Sequence, residues 1–165
     1  MTKDLKLCAI RRGDHTCVQR MFIEFNASEF GKYDPIDSTE EACVLAFLED
    51  MAQNHVIFAV TPADSDEMIG YICFHIAGAE YDLGYMIASA YRRAGIATAG
   101  ARMAIERVNQ ERGAKIFTAT VASENVPSVR VLEKLGFTLR SETRIRKEAN
   151  GAEYTFTERH YTCTM

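Results

Sequence analysis

The chain has 165 residues, of which 47% are hydrophobic, and its formal net charge is −4. This length and composition predict a single domain over residues 1–165 with a sizeable core. The acidic balance argues against nucleic acid as a partner, and no apolar run is long enough to cross a membrane, so neither partner is expected.

The cysteines and the N-terminal residues indicate in which cellular compartment the protein is expected. The five cysteines are odd in number and form no C-x-x-C pair, which predicts reduced thiols rather than a disulfide framework or a zinc site. The first residues, MTKDLKLCAIRRGD, contain no apolar signal core. The four histidines lie in different predicted elements without metal-ligand spacing. We therefore expect a cytoplasmic protein with no metal site.

The N-terminal third of the chain predicts one strand and two helices. Residues 4–12 alternate well enough for a first strand, and residues 14–30 place apolar side chains at helical spacing. A second amphipathic helix is predicted over residues 38–54 after a loop. Ser38 stands three residues before Glu41, which is the pattern of a capping box at the start of that helix.

The middle of the chain changes from helical to strand periodicity. Strands are predicted over residues 55–61, 68–77 and 80–88, and the turns between them indicate an antiparallel meander. The next helical stretch covers residues 95–112 and ends at Gly113, which is suited to a C-cap.

The C-terminal third predicts a strand, a short helix and a long hairpin. The strand covers residues 114–122, and the helix over residues 125–136 has a proline near its start and a glycine at its end. Two alternating segments, 137–149 and 152–164, flank the Asn150-Gly151 pair, which is a strong hairpin signal.

The predicted order is β-α-α-β-β-β-α-β-α-β-β, which is typical of an α+β (mixed α/β) fold. The strands before and after the central helix are expected to pair in parallel through a right-handed crossover. The other strands of this twisted, roughly seven-stranded sheet are expected to be antiparallel.

An arginine-glycine corner precedes the central helix. The first turn of a helix leaves N–H groups unpaired and carries partial positive charge, so it suits a phosphate where the backbone can be approached closely. Gly95 has no side chain and Ala97 has a small one, so a phosphate can come close to the backbone there. Arg92 and Arg93 add positive charge, and Thr98 adds a hydroxyl. An isolated motif of this kind is more often only a turn with solvated arginines. The P-loop and dinucleotide-binding patterns are both absent.

Two blocks of sequence resemble the GNAT superfamily of N-acetyltransferases. The segment YDLGYMIASAYRRAGIATAG contains the family signature Q/R-x-x-G-x-G/A, met here by Arg92, Gly95 and Ala97. The segment ENVPSVRVLEKLGF is similar to the second family block, with Asn125 before a short helix and an LGF exit. This form resembles the branch that includes acetyltransferases of ribosomal-protein N-termini and several antibiotic-modifying enzymes.

The resemblance implies acetyl-CoA as donor and an amine as acceptor, with the two strands around the central helix splayed apart. It implies that backbone groups hold the pyrophosphate, at Arg93, Ala94, Gly95, Ile96, Ala97 and Thr98, beside the charge of Arg92. The pantetheine arm is expected along the backbone of Tyr85, Met86 and Ile87, with Asn125 and Ser128 facing its thioester end. Homodimers are common in such folds.

The resemblance also leaves one role open and points to an acceptor loop. Many family members have a tyrosine seven residues after the asparagine, which protonates the departing thiolate, and this chain has Leu132 there. Ser128 is the candidate acid in its place. The family usually builds its acceptor pocket in the loop between the first two helices, where Phe30, Tyr33 and Asp34 are candidates for substrate contacts.

An amine must lose a proton before it attacks a thioester, because a lysine-like amine has a pKa near 10.4. The strand period places Glu80 and Asp82 on one face with Met86, and the tyrosines at 81 and 85 on the other. Asp82 is the preferred general base, acting directly or through water, and Glu80 is the alternative. Both carboxylates are also consistent with solvated charges at a strand start. His75 is expected to be a core or cleft histidine rather than a base.

The sequence therefore predicts an acetyl-CoA-dependent N-acetyltransferase acting on a primary amine: a peptide N-terminus, a small amine or an antibiotic. The alternative is a module of the same fold that binds acyl-CoA and regulates without turnover. Consumption of acetyl-CoA in the presence of amines distinguishes the two.

Overall fold

The computed structural model of the protein describes residues 4–149 and 151–165. Its elements are β1 (Leu5–Cys8), α1 (His15–Asn26), α2 (Glu41–Asn54), β2 (Val56–Pro62), β3 (Gly70–Ala77), β4 (Glu80–Ile87), α3 (Ile96–Arg112), β5 (Ile116–Ala122), α4 (Val126–Lys134), β6 (Thr138–Ala149) and β7 (Ala152–Thr164). This confirms the predicted order of helices and strands.

The seven strands form one sheet in the order β1-β2-β3-β4-β5-β7-β6. Only β4 and β5 pair in parallel among the described strands, as predicted for the strands that flank the central helix. Their ladder is three residue pairs long and ends at Asp82↔Thr118. Beyond it, residues 83–87 of β4 and 119–122 of β5 are unpaired with each other. We call the gap between these two segments the splay.

The core lies on both faces of the sheet because strand side chains alternate between them. Ile72 and Phe74 of β3 pack with α3 and α4 on one face. Tyr71 and Cys73, from the same strand, pack with α1 and α2 on the other. The sheet is therefore a middle layer, and the splay lies within it.

The ends of α3 and α4 follow the predicted caps. Gly95 and Gly113 flank α3 with φ of +74° and +67°, a left-handed conformation that costs a glycine little. Asn125 is the N-cap of α4, and its Oδ1 accepts a hydrogen bond from the Ser128 N–H at 3.3 Å. None of the helices in residues 4–149 and 151–165 is long and apolar enough to cross a membrane.

Several predicted boundaries were wrong at the start of the chain. The first helix ends at Asn26 rather than residue 30, because Ser28 turns the chain by donating its hydroxyl to the Phe25 carbonyl oxygen at 2.7 Å. The capping box at Ser38 is not formed. Its hydroxyl accepts the Glu40 N–H at 3.3 Å, and the helix begins only at Glu41.

The first strand is also shorter than predicted, since it pairs with only four residues of β2. The predicted hairpin turn falls partly outside the described residues, because Asn150 lies there. Gly151 is described and has a φ of +74°, consistent with a tight turn. The pairing of β6 with β7 reaches Ala149↔Ala152, which confirms the predicted hairpin.

Candidate active site

A cavity of about 870 Å³ opens at the splay, and we call it the main cavity. It extends from the splay to the loop between α1 and α2 and to the β7 strand. Eight of the predicted site residues line it: Asp82, Tyr85, Met86, Asn125, Ser128, Phe30, Tyr33 and Asp34. The fold thus brings together residues from widely separated parts of the sequence.

Asp82 lies at the point where β4 and β5 separate. It belongs to the last pair of the parallel ladder, and its Oδ1 accepts a hydrogen bond from the Thr118 hydroxyl at 3.0 Å. This bond holds the carboxylate at the inner end of the splay and leaves its second oxygen available to a substrate.

Glu80 lies outside the wall of the main cavity. It is exposed at the start of β4 and lines a neighbouring cavity of about 380 Å³, which we call the side cavity. Asp82 lines both cavities. Of the two predicted carboxylates, only Asp82 therefore faces the space that extends from the splay to the loop between α1 and α2.

His75 faces the main cavity from the neighbouring strand. It stands opposite Asp82 in the β3–β4 register and is exposed, so the structure shows a cleft histidine rather than a core one. Its ring makes an edge contact with His55, with the ring centroids 5.0 Å apart. The strand period alone does not distinguish a core position from a cleft position for His75. Only the pairing of β3 with β4 places it beside Asp82.

The end of the main cavity away from the splay, beside the loop between α1 and α2, is aromatic, and we call it the loop end; the cavity as a whole is acidic. The carboxylates in its wall are Asp34, Asp37, Asp82 and Glu158, and none of the described lining residues is lysine or arginine. Aromatic side chains line the same space: Phe22, Phe25, Phe30, Tyr33, Phe47, Tyr71 and Phe156. Such a space favours a molecule that combines positive charge with apolar surface.

The C-terminal hairpin supports the loop between α1 and α2. Lys147 Nζ donates a hydrogen bond to the Tyr33 carbonyl oxygen at 2.6 Å, and the Tyr154 hydroxyl donates to the Lys32 carbonyl oxygen. The Tyr33 ring makes an edge contact with Phe156, with the centroids 5.0 Å apart. The wall that carries Tyr33 and Asp34 is thus held by residues more than a hundred positions away.

The start of α3 has the features expected of a phosphate site. No side chain caps the helix at Gly95, and the first intrahelical bond runs from the Ala99 N–H to the Gly95 carbonyl oxygen at 3.0 Å. The N–H groups of the first turn are therefore directed to solvent or to a ligand. Arg93 has a φ of +63°, a strained conformation for a residue with a side chain.

This segment, residues 92–98, lies outside the wall of the main cavity, beyond the C-terminal end of β4. Arg92 Nε donates to the Ile87 carbonyl oxygen at 2.9 Å, and its guanidinium lies 3.9 Å from the Glu24 carboxylate. Arg92 thus fixes the corner between β4 and α3. The carbonyl oxygen of Ile87, where the pantetheine arm was expected, already accepts this bond.

Tyr85 carries a feature that the sequence did not indicate. Its hydroxyl oxygen is buried and has no hydrogen-bond partner among the described residues. Burial raises the pKa of Tyr85, and the nearby Ser128 side chain opposes that rise without reaching hydrogen-bond geometry. An unpaired buried hydroxyl costs about 1–3 kcal/mol, so it is a rare feature in a native fold.

No group of three or more His, Cys, Asp or Glu side chains among the described residues is arranged to hold a metal ion. All five cysteines are free thiols. The groups that the wall of the main cavity offers for chemistry are carboxylates, hydroxyls, the thiols of Cys43 and Cys73, the His75 ring and the main chain.

Comparisons with known proteins agree with this architecture. The model of the acetyltransferase (GNAT) domain family matches residues 4–138. The uncharacterized N-acetyltransferase YnaD of Bacillus subtilis (strain 168) is 29% identical over 134 residues, which is 79% of each chain.

Two solved structures share the fold. Spermidine N-acetyltransferase from Vibrio cholerae, in complex with CoA and spermine, has a TM-score of 0.78 at 21% identity, over 96% of this chain and 94% of that one. Ribosomal-protein-S5-alanine acetyltransferase from Vibrio fischeri has a TM-score of 0.76 at 18% identity, over 99% of this chain and 94% of that one. Since the family model covers most of the chain and the topology agrees with it, the chain belongs to the GNAT family of acetyltransferases.

Proposed function

We propose that this protein transfers the acetyl group of acetyl-CoA to a primary amine, which attacks the thioester directly. Membership of the GNAT family supports the reaction class, and the Vibrio cholerae relative is described with CoA and spermine. The observation that carries the proposal is the position of Asp82, at the inner end of the splay and in the wall of an acidic, aromatic cavity.

The residues around the splay fit the donor. An extended, amide-containing arm can lie beside the unpaired edge of β4, at Tyr85 and Met86, as peptides do at open sheet edges. The first turn of α3 after Gly95 offers free N–H groups to a diphosphate. Asn125 and Ser128 line the cavity from the other side of the splay. The donor supplies an activated acetyl group, and these residues bind and orient it.

Asp82 takes the proton of the attacking amine, directly or through one water. An amine with a pKa near 10.4 is almost fully protonated at neutral pH, so its reactive form is scarce. A carboxylate beside the amine removes the proton as the N–C bond forms. The Thr118 hydroxyl keeps Asp82 oriented towards this position.

The loop end of the main cavity recognises the amine by charge and apolar contact. Asp34, Asp37 and Glu158 add negative charge to a wall without a described lysine or arginine, so a cation is attracted into it. Aromatic side chains of the wall such as Phe25 and Phe30 also favour cations and apolar stems. A small amine with an apolar or polycationic body fits this description, and a peptide N-terminus fits it if its first residues are not acidic.

The test is an amine panel with acetyl-CoA, read as release of free thiol, on the unmodified protein and on Asp82→Asn. We expect Asp82→Asn to lower kcat by about 10²–10⁴-fold near neutral pH, which is the usual contribution of a general base. Activity of the variant should recover as the pH approaches the pKa of the amine, because the acceptor then loses its proton unaided.

Two variants serve as controls for this experiment. Glu80→Gln removes a carboxylate from the same strand and the same face, outside the main cavity, and should leave kcat within about twofold of the unmodified protein. His75→Gln tests the other titratable group beside Asp82. If His75→Gln abolishes turnover while Asp82→Asn does not, the base is the histidine and the assignment of Asp82 is wrong.

The non-catalytic alternative makes a different prediction in the same experiment. A sensor of this fold would bind CoA in calorimetry and release no thiol with any amine of a broad panel. Turnover with even one amine, at a rate abolished by Asp82→Asn, excludes that alternative.

A further inference from the structure

The Tyr85 hydroxyl is a buried donor without a partner in the described part of the chain, and Tyr85 lines the main cavity. Its side chain leaves β4 three residues beyond the last parallel pair, so it projects beside the splay. A buried O–H without a protein partner needs another acceptor, either an ordered water or a bound ligand. The proposed function gives the splay one class of occupant, the thioester arm of the donor, and this inference rests on that function.

No side chain in the described part of the chain accepts a hydrogen bond from this hydroxyl. Asn125 uses its Oδ1 on the Ser128 N–H as the cap of α4. The Ser128 hydroxyl is close to Tyr85 but outside hydrogen-bond geometry, and Leu132, one turn further along α4, is apolar. The donor is therefore left without an acceptor among the described residues, on a side chain that lines the cavity.

The charge that develops in the reaction identifies the acceptor atom. When the N–C bond has formed and the C–S bond breaks, the electron pair of that bond goes to sulfur and leaves a thiolate. An anion that a bound substrate shields from water needs a hydrogen-bond donor, and a donor fixed in place beforehand stabilises it without reorganisation. In the thioester the sulfur is a weak acceptor, so such a bond strengthens as the reaction proceeds.

We propose that Tyr85 is a catalytic residue that donates a hydrogen bond to the departing CoA sulfur and keeps its own proton. The amine's proton goes to Asp82 or water, the C–S pair goes to sulfur, and the product leaves as a thiolate that is protonated in solvent.

Retention of the phenol's proton follows from the acidities of the two groups. Burial raises the pKa of Tyr85 above its usual value of 10.0, whereas a thiol has a pKa near 8.5. Full proton transfer from the phenol to the thiolate would therefore be uphill.

The first test measures the bound product rather than turnover. CoA labelled with carbon-13 beside its sulfur reports the ionisation of the thiol by chemical shift, and it is titrated with pH on the unmodified protein and on Tyr85→Phe. We expect the pKa of the bound thiol to lie below that of free CoA on the unmodified protein. On Tyr85→Phe it should rise by about one pH unit, a tenfold change in thiolate stability.

The second test separates the sulfur from the rest of the arm. Calorimetry with CoA and with its desulfo analogue, above the pKa of the bound thiol, should show about tenfold weaker CoA binding by Tyr85→Phe and no change for the analogue. In steady-state kinetics we expect kcat of Tyr85→Phe to be about tenfold lower than that of the unmodified protein, with KM for acetyl-CoA changed less than about twofold.

Tyr81→Phe is the matched control, because Tyr81 lies on the same strand and face, packs against Phe74 and Phe117, and does not line the main cavity. It should leave all three measurements unchanged. Since the Tyr85 hydroxyl has no described protein partner, Tyr85→Phe should unfold no more easily than the unmodified protein when CoA is absent. A clear loss of unliganded stability contradicts the proposal, because it would mean that the hydroxyl already has a structural partner.

Two further outcomes overturn the proposal. Equal weakening of CoA and desulfo-CoA by Tyr85→Phe would place the hydroxyl on the pantetheine arm instead of the sulfur. An unchanged pKa of the bound thiol would show that the hydroxyl does not touch the thiolate. In both cases the unmodified protein still binds CoA and releases thiol, whereas failure of the proposed function removes binding or turnover from the unmodified protein itself.

Discussion

Cys73 shows how burial controls the reactivity of a single side chain beside the site. It is buried on β3, and burial, reinforced by the neighbouring Asp82 charge, raises the pKa of its thiol to about 12. The Gly84 N–H opposes this rise by bonding to the sulfur. Because the thiolate is the reactive form, Cys73 is expected to remain inert although it stands in the wall of the main cavity.

Alkylation with iodoacetamide at about pH 8, read by peptide mass spectrometry, tests this prediction. The exposed Cys43 should be labelled first, and Cys73 should react at a comparable rate only after the protein is unfolded. Labelling of Cys73 in the folded protein as fast as that of Cys43 would show that its thiol is ionised and accessible.

The sequence predicts candidate residues more readily than what their side chains contact. Asp82 is a candidate base from its strand phase alone, but its bond to Thr118 depends on a register between residues 36 positions apart. The Tyr85 side chain was overlooked for the same reason. Strand period assigns it to a face of the sheet, and only the packing of distant elements encloses its hydroxyl beside a cavity.

The two ends of α3 give a matched pair for testing the phosphate site at the scale of one element. Gly95 and Gly113 both have positive φ, and a Cβ added at either would meet nothing within 4 Å. A leucine at either position should cost a similar strain of about 1–2 kcal/mol in the free energy of unfolding. Only Gly95 lies at the N-terminal end, where the free N–H groups and the positive end of the helix dipole are.

We therefore expect Gly95→Leu to weaken CoA binding by about tenfold or more in calorimetry and Gly113→Leu to leave it nearly unchanged. Urea unfolding of both variants measures the shared strain. Equal CoA affinities for the two variants would mean that the start of α3 does not hold the diphosphate.

Elements with strong local signals were predictable, and those set by distant contacts were not. Asn125, with a proline two residues later, marked the start of α4 correctly because the cap is made within one turn of chain. Ser38 carried an equally clear cap pattern, yet its hydroxyl accepts the Glu40 N–H and the helix starts at Glu41. The role of Arg92 is similar: its local charge indicated phosphate, and its guanidinium is also committed to the Ile87 carbonyl oxygen.

At the scale of the whole molecule, the two ends of the main cavity are built by different parts of the chain. The end at the splay is formed by β4, β5 and α4, and β5 pairs there with the C-terminal half of β7. The loop end depends on the loop after α1 meeting the hairpin of β6 and β7, through Lys147, Tyr154 and Phe156. Changes confined to these three contacts should therefore affect binding of the amine and leave binding of acetyl-CoA unchanged.

Lys147→Met tests this division, because it keeps an apolar stem near the Phe156 ring and removes the hydrogen bond to the Tyr33 carbonyl oxygen. Losing one charge-assisted bond of about 1.5–3 kcal/mol should loosen the loop that carries Tyr33 and Asp34. The loop must then be ordered each time an amine binds, which costs free energy of binding. We expect KM for the best amine of the panel to rise about fivefold or more, with KM for acetyl-CoA unchanged.

Arg146→Met is the control for that experiment, since it removes the same charge from the adjacent residue, which is exposed and pairs with Glu153 on the hairpin itself. It should leave both KM values near those of the unmodified protein. A rise in KM for acetyl-CoA with Lys147→Met, or an equal effect of the two variants on the amine, would mean that the hairpin acts on the whole site through overall charge or stability. A rise confined to the amine and to Lys147→Met would show that the contact between the loop and the hairpin sets acceptor affinity, because binding of acetyl-CoA would then not depend on that contact.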